Sequence, residues 1–522
     1  MTHDLAAAPF APDQVFDVCV VGAGAAGIVL AVQLLRAGRS VALIESGAHS
    51  YEASTQALYQ GKVTGQAHTG IHEGRFRTWG GTTTRWGGQI LELEPIDFAR
   101  RDWVPNSGWP FAKEELTQHY ETALRLEGLG SVVRNDAEVW RGCGTSAPDA
   151  GKDLETYLTR WCPEPDFARL HGRELAQAET LTTVLHANLF DVCVDSEQAA
   201  QHAEFRSLNG HTAIVRAQQY VLAIGAIETS RILLHMAARS ADDAARWNPN
   251  DLVGRGFQDH VDCEVARMVP HDRARFLRMF GNVLLRGLKY QPKVRLSAAA
   301  QERLRVLNVA TSIDIQDASG EIAASIKATA KRILRRAWSQ LDAAQIGNLL
   351  RHLPLLLRQS WSYAVHHRVY SDTAAEIALR VHCEQRPDTV SRVGLTDEVD
   401  ALGMRRIALD WQISAVELDT MRAFTRTVQQ QFSDRRIAAL EPVFDWNDDA
   451  AFRAHCDDGL HHMGGAVMSI DPAAGVVDAD LRMHTVPNVS LCSAAVFPTG
   501  GYSNPTHTLL ALAVRLAHRL SS

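Results

Sequence analysis

Residues 16–45 read FDVCVVGAGAAGIVLAVQLLRAGRSVALIE and contain a complete strand–helix–strand pattern. An apolar, β-branched run leads directly into Gly22, Gly24 and Gly27, a helical pattern follows, and a second apolar run closes the stretch. The first glycine permits a tight turn, the second lets the backbone approach a pyrophosphate, and the third lets the helix pack on the sheet. The stretch therefore predicts a βαβ unit that opens a parallel sheet and binds a dinucleotide.

An acidic residue completes this pattern. Glu45 follows the second apolar run, 18 residues after Gly27. A carboxylate there can accept hydrogen bonds from ribose hydroxyls, while the helix N-terminus binds the phosphates through its free N–H groups and its positive dipole end. Together the strands, glycines, helix and acid are a strong signal, but they do not distinguish FAD from NAD.

Length and composition restrict the class of protein. The chain has 522 residues, and 53 Lys and Arg against 60 Asp and Glu give a formal charge of −7, which argues against nucleic acid as the main partner. We expect no signal peptide and no membrane-spanning segment. The eight cysteines are scattered without a CxxC pair, which predicts reduced thiols in a cytoplasmic protein with neither disulfides nor a metal site.

The order of strand-like and helical segments predicts two interleaved domains of an α/β protein. A Rossmann-type nucleotide-binding domain is expected from residues 15–95, 176–265 and 455–522. A substrate-binding domain of sheet plus helices, α+β in class, is expected from residues 96–175 and 266–454.

The C-terminal region carries a series of short motifs. They are LHHMGG at residues 460–465, GVVD at 475–478, NVSLCSAAVFPT at 488–499 and NPTHTLLALA at 504–513. This order resembles the C-terminal signature of the glucose–methanol–choline (GMC) flavoprotein oxidoreductases. GGTTT at 80–84, VLAIGAIET at 221–229 and VGRGFQDH at 253–260 resemble further elements of the same family, in the same order.

The resemblance implies that the cofactor is FAD and that an alcohol is oxidised by hydride transfer to flavin N5. It identifies His461 as the base that takes the hydroxyl proton, and Asn504 as the second active-site residue, whose amide hydrogen-bonds the substrate oxygen. For His462 we favour a structural role. The cofactor-binding residues implied are Gly22, Gly24, Gly27, Glu45, Gly80, Gly81, Thr82, Thr83, Leu189, Gly225, Ser493, Ala494, Pro505 and Thr506.

The sequence departs from the family pattern at two positions, Ser493 and Arg85. Ser493 stands where many relatives carry an acidic residue, although its hydroxyl can still contact the pyrophosphate. Alignment on Gly80 and Gly81 puts Arg85 where covalently flavinylated relatives carry a histidine. Because an arginine side chain cannot form that link, we predict FAD that is bound non-covalently.

Other motifs suggest a subgroup. WGGTTTRWGGQ at residues 79–89 and EQRP at 384–387 are similar to segments of bacterial sugar-oxidising members and of pyranose-oxidase-like enzymes. The substrate is then a small alcohol, most readily a secondary hydroxyl of a sugar or glycoside, and the flavin is reoxidised by oxygen or another electron acceptor. Candidate substrate residues are Arg85, Gln89, Gln385 and His507, although core packing is the better interpretation of His507.

Residues 326–370 are basic and leucine-rich, with a net charge of +7. Such a segment can lie on an anionic membrane or contact a partner protein, but a solvated structural cap is the favoured interpretation.

Three alternatives to sugar oxidation remain open from the sequence. The protein can be a GMC-type flavoprotein with a non-oxidative role, such as a lyase or photoenzyme, or an oxidoreductase of a non-sugar alcohol. It can also be a docked binding protein, for which residues 326–370 are the only support. An NAD-dependent dehydrogenase is disfavoured by the C-terminal signature.

Overall fold

The computed structural model describes residues 1–316, 353–371, 375–387 and 390–522. Its strands, numbered in chain order, are β1 Thr2–Asp4, β2 Val15–Val21, β3 Val41–Ile44, β4 Gly61–Val63, β5 Gln89–Ile90, β6 Leu154–Trp161, β7 Leu181–Leu185, β8 Asn188–Val194, β9 Ala200–Arg206, β10 Thr212–Leu222, β11 Val261–Pro270, β12 Val283–Leu285, β13 Leu288–Leu296, β14 Val309–Gln316, β15 Glu376–Cys383, β16 Arg392–Val399, β17 Arg405–Asp410, β18 Ala438–Pro442, β19 Cys456–Asp458 and β20 Val489–Leu491.

The α-helices are numbered in the same way. They are α1 Ala25–Arg36, α2 Ala53–Gln56, α3 Pro95–Phe98, α4 Thr117–Leu126, α5 Asp136–Gly142, α6 Phe167–Leu170, α7 Gly172–Gln177, α8 Ala226–Ala237, α9 Ala241–Trp247, α10 Arg273–Phe280, α11 Ala298–Leu304, α12 Leu353–Trp361, α13 Ala415–Asp434, α14 Asp449–Ala454 and α15 Pro505–Ser521. Short 3₁₀ segments cover Ala57–Tyr59, Gly81–Thr84, Lys113–Leu116, Pro249–Asp251 and Ala494–Val496, and a π-helical turn covers Ser362–His366.

The first sheet is the nucleotide-binding type that the glycine motif predicts. Its strands have the order β1-β7-β3-β2-β10-β9-β8, and β20 pairs with β10. The pairs that involve β1, β7, β3, β2 and β20 are parallel, whereas β9 pairs antiparallel with β8 and with the first half of β10. All four residues of β3 are buried, as expected for a parallel strand covered on both faces.

The second sheet is antiparallel and has the order β18-β11-β15-β14-β13-β6-β5, with β12 on β13 and β19 on β11. One face of this sheet contributes to a hydrophobic core with α13. The apolar residues of α13 recur at helical spacing and are buried there; they are Leu418, Met421, Phe424, Val428 and Phe432. A third, smaller sheet has the order β16-β17-β4.

These sheets confirm the predicted α/β class with a Rossmann-type unit. Strands of the first sheet come from residues 2–222 and 489–491, and strands of the second come from residues 89–90, 154–161 and 261–458. Both sheets are therefore assembled from distant parts of the chain. The predicted domain limits themselves stay a prediction.

Two predicted helices differ from the observed ones. The apolar pattern of residues 508–520 predicts a helix, and the observed C-terminal helix begins three residues earlier, at Pro505, because proline at the first helical position needs no N–H partner. The helical pattern over residues 114–129 is divided into a 3₁₀ segment, Lys113–Leu116, and α4, which ends before Gly128, a residue with φ of +74°.

The basic segment is only partly visible. Residues 326–352 lie outside the described residues, so its predicted contact with a membrane or partner stays a prediction. Within α12, Leu357 and Trp361 are exposed. Among the described residues, no helix combines the length and the hydropathy that are needed to cross a bilayer.

Candidate active site

The glycine loop after β2 is shaped by backbone contacts. Gly22 has φ of +101°, and a Cβ at this position would lie 2.5 Å from the carbonyl oxygen of Ala223. A Cβ on Gly27 would lie 1.8 Å from the carbonyl oxygen of Gly22, so the helix can approach the loop only without a side chain. Gly24 differs, because nothing lies within 4 Å of its Cβ direction. The open space at Gly24 is where a ligand can approach the backbone.

Two helix N-termini point free N–H groups at this region. Gly24 precedes α1 and Gly225 precedes α8, and neither helix has a side-chain cap. Gly225 also has open space in its Cβ direction. Uncapped N-termini carry unpaired donors and a positive dipole end, which suits a phosphate group.

Glu45 lies at the carboxyl end of β3, where the sequence predicts a ribose-binding acid. Its Oε2 accepts a hydrogen bond from the Ala23 N–H at 3.0 Å, and its Oε1 accepts one from the Gly47 N–H at 2.9 Å. Burial raises the pKa of this carboxyl. These bonds fix the carboxylate at the wall of the cavity described next.

One cavity brings together most of the predicted cofactor residues. Its wall includes Gly22, Gly24, Glu45, Gly81, Thr82, Thr83, Leu189, Gly225, Ser493, Ala494, Pro505 and Thr506. Gly27 and Gly80 are not in this wall; Gly80 adopts φ of +94° in the turn before Gly81. Ser493 is buried and its Oγ lies 3.1 Å from Thr229 Oγ1, so the residue that replaces the family's acid still presents a hydroxyl there.

Sequence reasoning missed a charged cluster in the same wall. Arg77 Nη2 donates to Asn188 Oδ1 at 2.9 Å, and its Nη1 lies 3.4 Å from Glu228 Oε1. The guanidinium of Arg75 stacks on the Tyr59 ring at 3.8 Å, and burial lowers the pKa of Arg75 to about 10. In the sequence, this cluster is visible only as two arginines in GRFR, residues 74–77. Their spacing does not indicate which residues they contact until the fold is known.

The predicted catalytic residues meet although they lie 43 positions apart in sequence. Asn504 Nδ2 is 2.7 Å from His461 Nε2. Asn504 occupies the N-cap position of α15, yet it makes no side-chain cap to that helix, because its amide is directed to the histidine. His461 also lines the cavity that contains the glycine loop. The structure therefore brings this pair to one end of the candidate cofactor site.

A third residue contacts the other side of the histidine. His260 Nδ1 lies 2.9 Å from His461 Nδ1, and the two ring centroids are 4.9 Å apart. Burial lowers the pKa of His461 to about 3, with the neighbouring His260 adding to the effect, and burial lowers the pKa of His260 to about 4. Both rings are therefore neutral at neutral pH. The sequence places His260 in the VGRGFQDH motif, but its contact with His461 spans 201 residues.

Asp259 fixes the backbone of both histidines. Its Oδ1 accepts hydrogen bonds from the N–H groups of His260 and His461, each at 2.7 Å, and its Oδ2 lies 3.1 Å from His68 Nε2. His462 approaches the same carboxylate at 3.7 Å, in line with its predicted structural role, which stays untested. Although no metal site is predicted, the side chains of His68, Asp259 and His462 bring ligand-type atoms within 4.8 Å of one another.

The predicted substrate residues have different environments. Gln89 Nε2 donates to Thr159 Oγ1 at 2.8 Å, and Gln89 is only partly buried. Arg85 is exposed and lies over the rings of Tyr51 and Phe76 at 5.9 and 5.6 Å, outside the cavity wall.

The other two predicted substrate residues are engaged within the protein. Gln385 is buried, and its amide bonds to the Asp259 N–H, the Trp411 indole and the Gln412 carbonyl. His507 is also buried, with Nδ1 2.8 Å from Glu127 Oε2, which agrees with the core-packing interpretation. Both side chains thus contact other groups of the protein and do not point into open space.

The comparisons with known proteins agree with this geometry. Residues 387–513 match the family model described as GMC oxidoreductase, and residues 20–73 match that of an NAD(P)-binding Rossmann-like domain. The chain thus contains a GMC oxidoreductase domain in its C-terminal region and a Rossmann-like domain in its N-terminal region. It is accordingly an FAD-dependent enzyme that oxidises CH–OH groups of a small molecule and passes electrons to an acceptor.

The similarity to curated relatives extends over nearly the whole chain. The chain is 24% identical to a 6'''-hydroxyparomomycin C oxidase from Streptomyces lividus, over 98% of this chain and 93% of the relative. It is also 24% identical to a paromamine 6'-oxidase from Streptomyces fradiae, over 97% of this chain and 91% of the relative. The solved structure of pyridoxine 4-oxidase from Mesorbium loti shares the fold, with a TM-score of 0.60 and 16% identity over 97% of this chain and 99% of that chain.

The cavity fits FAD. The open space at Gly24 and the uncapped start of α1 suit the pyrophosphate, and Glu45 suits a ribose. The same cavity reaches His461, so a dinucleotide held at the glycine loop can extend toward the histidine pair.

Gly24→Ala tests the position of the pyrophosphate. Since Gly24 has φ of −81° and no atom within 4 Å of the new methyl, we expect the variant to fold with stability within about 1 kcal/mol of wild type. The methyl occupies the space for the ligand, so the FAD dissociation constant, measured by titration of the apoprotein, is expected to rise at least about tenfold.

Gly38→Ala is the control for this experiment. Gly38 has φ of +78° and open space around it, so alanine there costs about 1 kcal/mol of stability and leaves FAD affinity unchanged. If Gly24→Ala binds FAD with wild-type affinity, the pyrophosphate does not lie against Gly24.

Proposed function

We propose that this GMC oxidoreductase oxidises a hydroxyl group of a sugar or glycoside, with His461 as the base. The bound FAD supplies the hydride acceptor, flavin N5. The observation that carries the proposal is the 2.7 Å contact between His461 Nε2 and Asn504 Nδ2 at the end of the cofactor cavity. The pair offers one proton acceptor and one neutral hydrogen-bond donor side by side, which is what removal of a hydroxyl proton requires.

The hydrogen bonds around His461 support Nε2 as the basic atom. The Asn504 amide donates to Nε2, so this nitrogen carries a lone pair and the proton of the neutral ring is on Nδ1. That Nδ1–H donates to His260 Nδ1. His260 therefore favours the tautomer in which the lone pair of His461 faces Asn504.

A substrate hydroxyl can use this arrangement directly. Its O–H donates to His461 Nε2, and its oxygen accepts the N–H that Asn504 otherwise gives to the histidine. As the hydride leaves the carbon, His461 takes the hydroxyl proton and becomes an imidazolium, and the product is a carbonyl compound. The low pKa of His461 keeps the base unprotonated before substrate binds.

The names of the relatives support the substrate class. The two Streptomyces oxidases are named for aminoglycosides, which are sugar derivatives with several hydroxyl groups. A panel of D-glucose, D-fructose, D-glucosamine, paromamine and cyclohexanol would test this assignment. Under anaerobic conditions we expect at least one sugar to bleach the bound flavin faster than cyclohexanol does. Bleaching by cyclohexanol alone would favour oxidation of a non-sugar alcohol, and no bleaching by any compound would favour a non-oxidative role.

His461→Ala tests the base. We expect the variant to fold and bind FAD, and flavin reduction by the bleaching sugar to slow by about 10²–10⁴, the usual worth of a positioned acid–base group. Reduction by dithionite should be unchanged, because it removes no hydroxyl proton. Asn504→Ala should slow the same step by only about tenfold, since one neutral hydrogen bond is lost. His462→Ala is the control for the choice between the two adjacent histidines. A larger loss of the flavin-reduction rate in His462→Ala than in His461→Ala would show that His462, and not His461, is the base.

The pH profile tests the protonation state of the base. A histidine with its usual pKa would give kcat/KM an acid limb near pH 6.5. Because the pKa of His461 is lowered to about 3, the neutral base persists as pH falls, and we expect the acid limb to lie below about pH 5. Stopped-flow flavin reduction across pH 4–9 measures it. An acid limb between pH 6 and 7 that disappears in His461→Ala would contradict a neutral, buried base.

Acid precipitation tests the cofactor linkage. Since Arg85 stands at the aligned position of the linking histidine, we propose that FAD is held non-covalently. Trichloroacetic acid should release the yellow colour into the supernatant. A pellet that stays yellow after washing would mean that another side chain makes the link.

A further inference from the structure

The antiparallel sheet has one polar face that the hydrophobic core does not use. In an antiparallel pair, residues directly opposite each other point to the same face. Asp262 of β11 is opposite His382 of β15, and Ser312 of β14 is opposite Arg380 of β15, two residues away. The printed pairs of β13 and β14 end at Val294 and Thr311, and continuing this register by one residue brings Lys293 opposite Ser312. These side chains therefore share a face, and the alternate residues of the same strands form the core with α13.

Three polar residues of this face form a connected network. Ser312 Oγ is 2.8 Å from His382 Nε2, and His382 Nδ1 is 2.6 Å from Asp262 Oδ1. The side chains of His382 and Asp262 keep 19% and 15% of their surface accessible although they lie on an inner strand pair. The network is thus not sealed from solvent.

Lys293 is the unusual member of this face. The residue is only 7% exposed, and within the residues that the structure describes no hydrogen bond or ion pair joins its ammonium. Burial lowers the pKa of Lys293 to about 8, while the carboxylates of Asp262 and Asp314 oppose that shift. A buried ammonium without hydrogen-bond partners is costly, and such groups concentrate at functional sites.

The polar face lies next to the proposed catalytic pair. Asp262 follows His260 by two residues, and the carboxylate of Asp262 and the ring of His461 influence each other's pKa. Tyr502, two residues before Asn504, packs on Tyr157 and Ala310 of the same face. At the other end, Thr159 of β6 binds Gln89, which remains a candidate substrate residue.

We propose that Lys293, Ser312, His382 and Asp262 form the recognition half of the substrate site and bind the non-reacting hydroxyl groups of a polyhydroxylated substrate. The assignment rests on the proposed function. The Lys293 ammonium donates up to three hydrogen bonds to hydroxyl oxygens, and the Ser312 hydroxyl both donates and accepts. The same ammonium disfavours a second cation at its own position, so the group bound there is a hydroxyl or another oxygen group and not an amine.

The connectivity Ser312–His382–Asp262 also matches that of a hydrolytic triad. Hydrolysis needs N–H donors that stabilise an oxyanion beside the nucleophile. Ser312 lies within β14 and is paired with Arg380 of β15, so it belongs to a paired strand and not to a loop or helix N-terminus that presents free N–H groups. We therefore assign the network to binding, with the histidine holding the serine hydroxyl in place.

Lys293→Met and Ser312→Ala test the assignment with the bleaching sugar of the panel and with cyclohexanol. Methionine keeps the length of the side chain and removes its donors. For Lys293→Met we expect the KM for the sugar to rise about 10- to 100-fold, because charge-assisted hydrogen bonds are lost, and the limiting rate of flavin reduction to change less than about threefold. The KM for cyclohexanol, which has no further hydroxyl to bind, should stay within about twofold. Ser312→Ala should shift the sugar KM in the same direction by about two- to tenfold.

Lys62→Met on the exposed strand β4 is the matched control, and it should leave every constant unchanged. A merely structural role for Lys293 would change the FAD content, or the KM values for both compounds equally, and would overturn the proposal. An unchanged sugar KM would also overturn it while leaving the proposed function intact. Stoichiometric labelling of Ser312 by a fluorophosphonate would favour a nucleophile over a binding residue. If no sugar of the panel bleaches the wild-type enzyme, the proposed function fails first, and this assignment fails with it.

Discussion

The carboxylate of Asp259 joins the parts of the chain on which the site depends. Its two oxygens bind the backbone N–H groups of His260 and His461 and the ring of His68, and its own N–H donates to Gln385. Residues 68, 259, 385 and 461 come from four distant segments, so one side chain sets their relative positions. Because hydrogen bonds to a charged acceptor are stronger than neutral ones, this group holds the proposed base in place more firmly than packing alone.

The electrostatic character of the site follows from the low exposure of its ionisable groups. Neutral histidines lie at the proposed point of chemistry, and the full charges of Lys293 and Asp262 lie on the facing sheet. A neutral base accepts a proton without competing with an existing charge. The charged groups beyond it can orient a polar molecule, because a low dielectric strengthens their hydrogen bonds.

Local sequence rules predicted the parts of the fold that depend on local geometry. Gly22 and Gly27 allow close backbone contacts that a side chain would block, and Gly24 leaves the space that a ligand needs, so the βαβ unit and its ligand class could be predicted from the sequence. The pairing of His461 with Asn504 followed from a family resemblance and not from spacing. His260, Arg77 and Lys293 were missed because each acquires its neighbours only through strand register or through contacts across more than a hundred residues. Arg85 and Gln385 stay predictions as substrate residues, because their motifs gave no information about which way the side chains point, and the structure places Arg85 outside the cavity wall and gives Gln385 protein partners.

The strand β20 has a consequence for the order in which the protein is made. It pairs with β10, and the helix α15 that follows it packs against α1 near the other end of the chain. Neither the parallel sheet nor the histidine–asparagine pair is complete until residues 489–504 are synthesised. A ribosome makes about 5–20 residues per second, so the glycine loop waits tens of seconds with its apolar neighbours uncovered. During that interval those apolar surfaces are exposed to aggregation, and loss of the final helix would uncover the faces of α1 and α4 against which it packs.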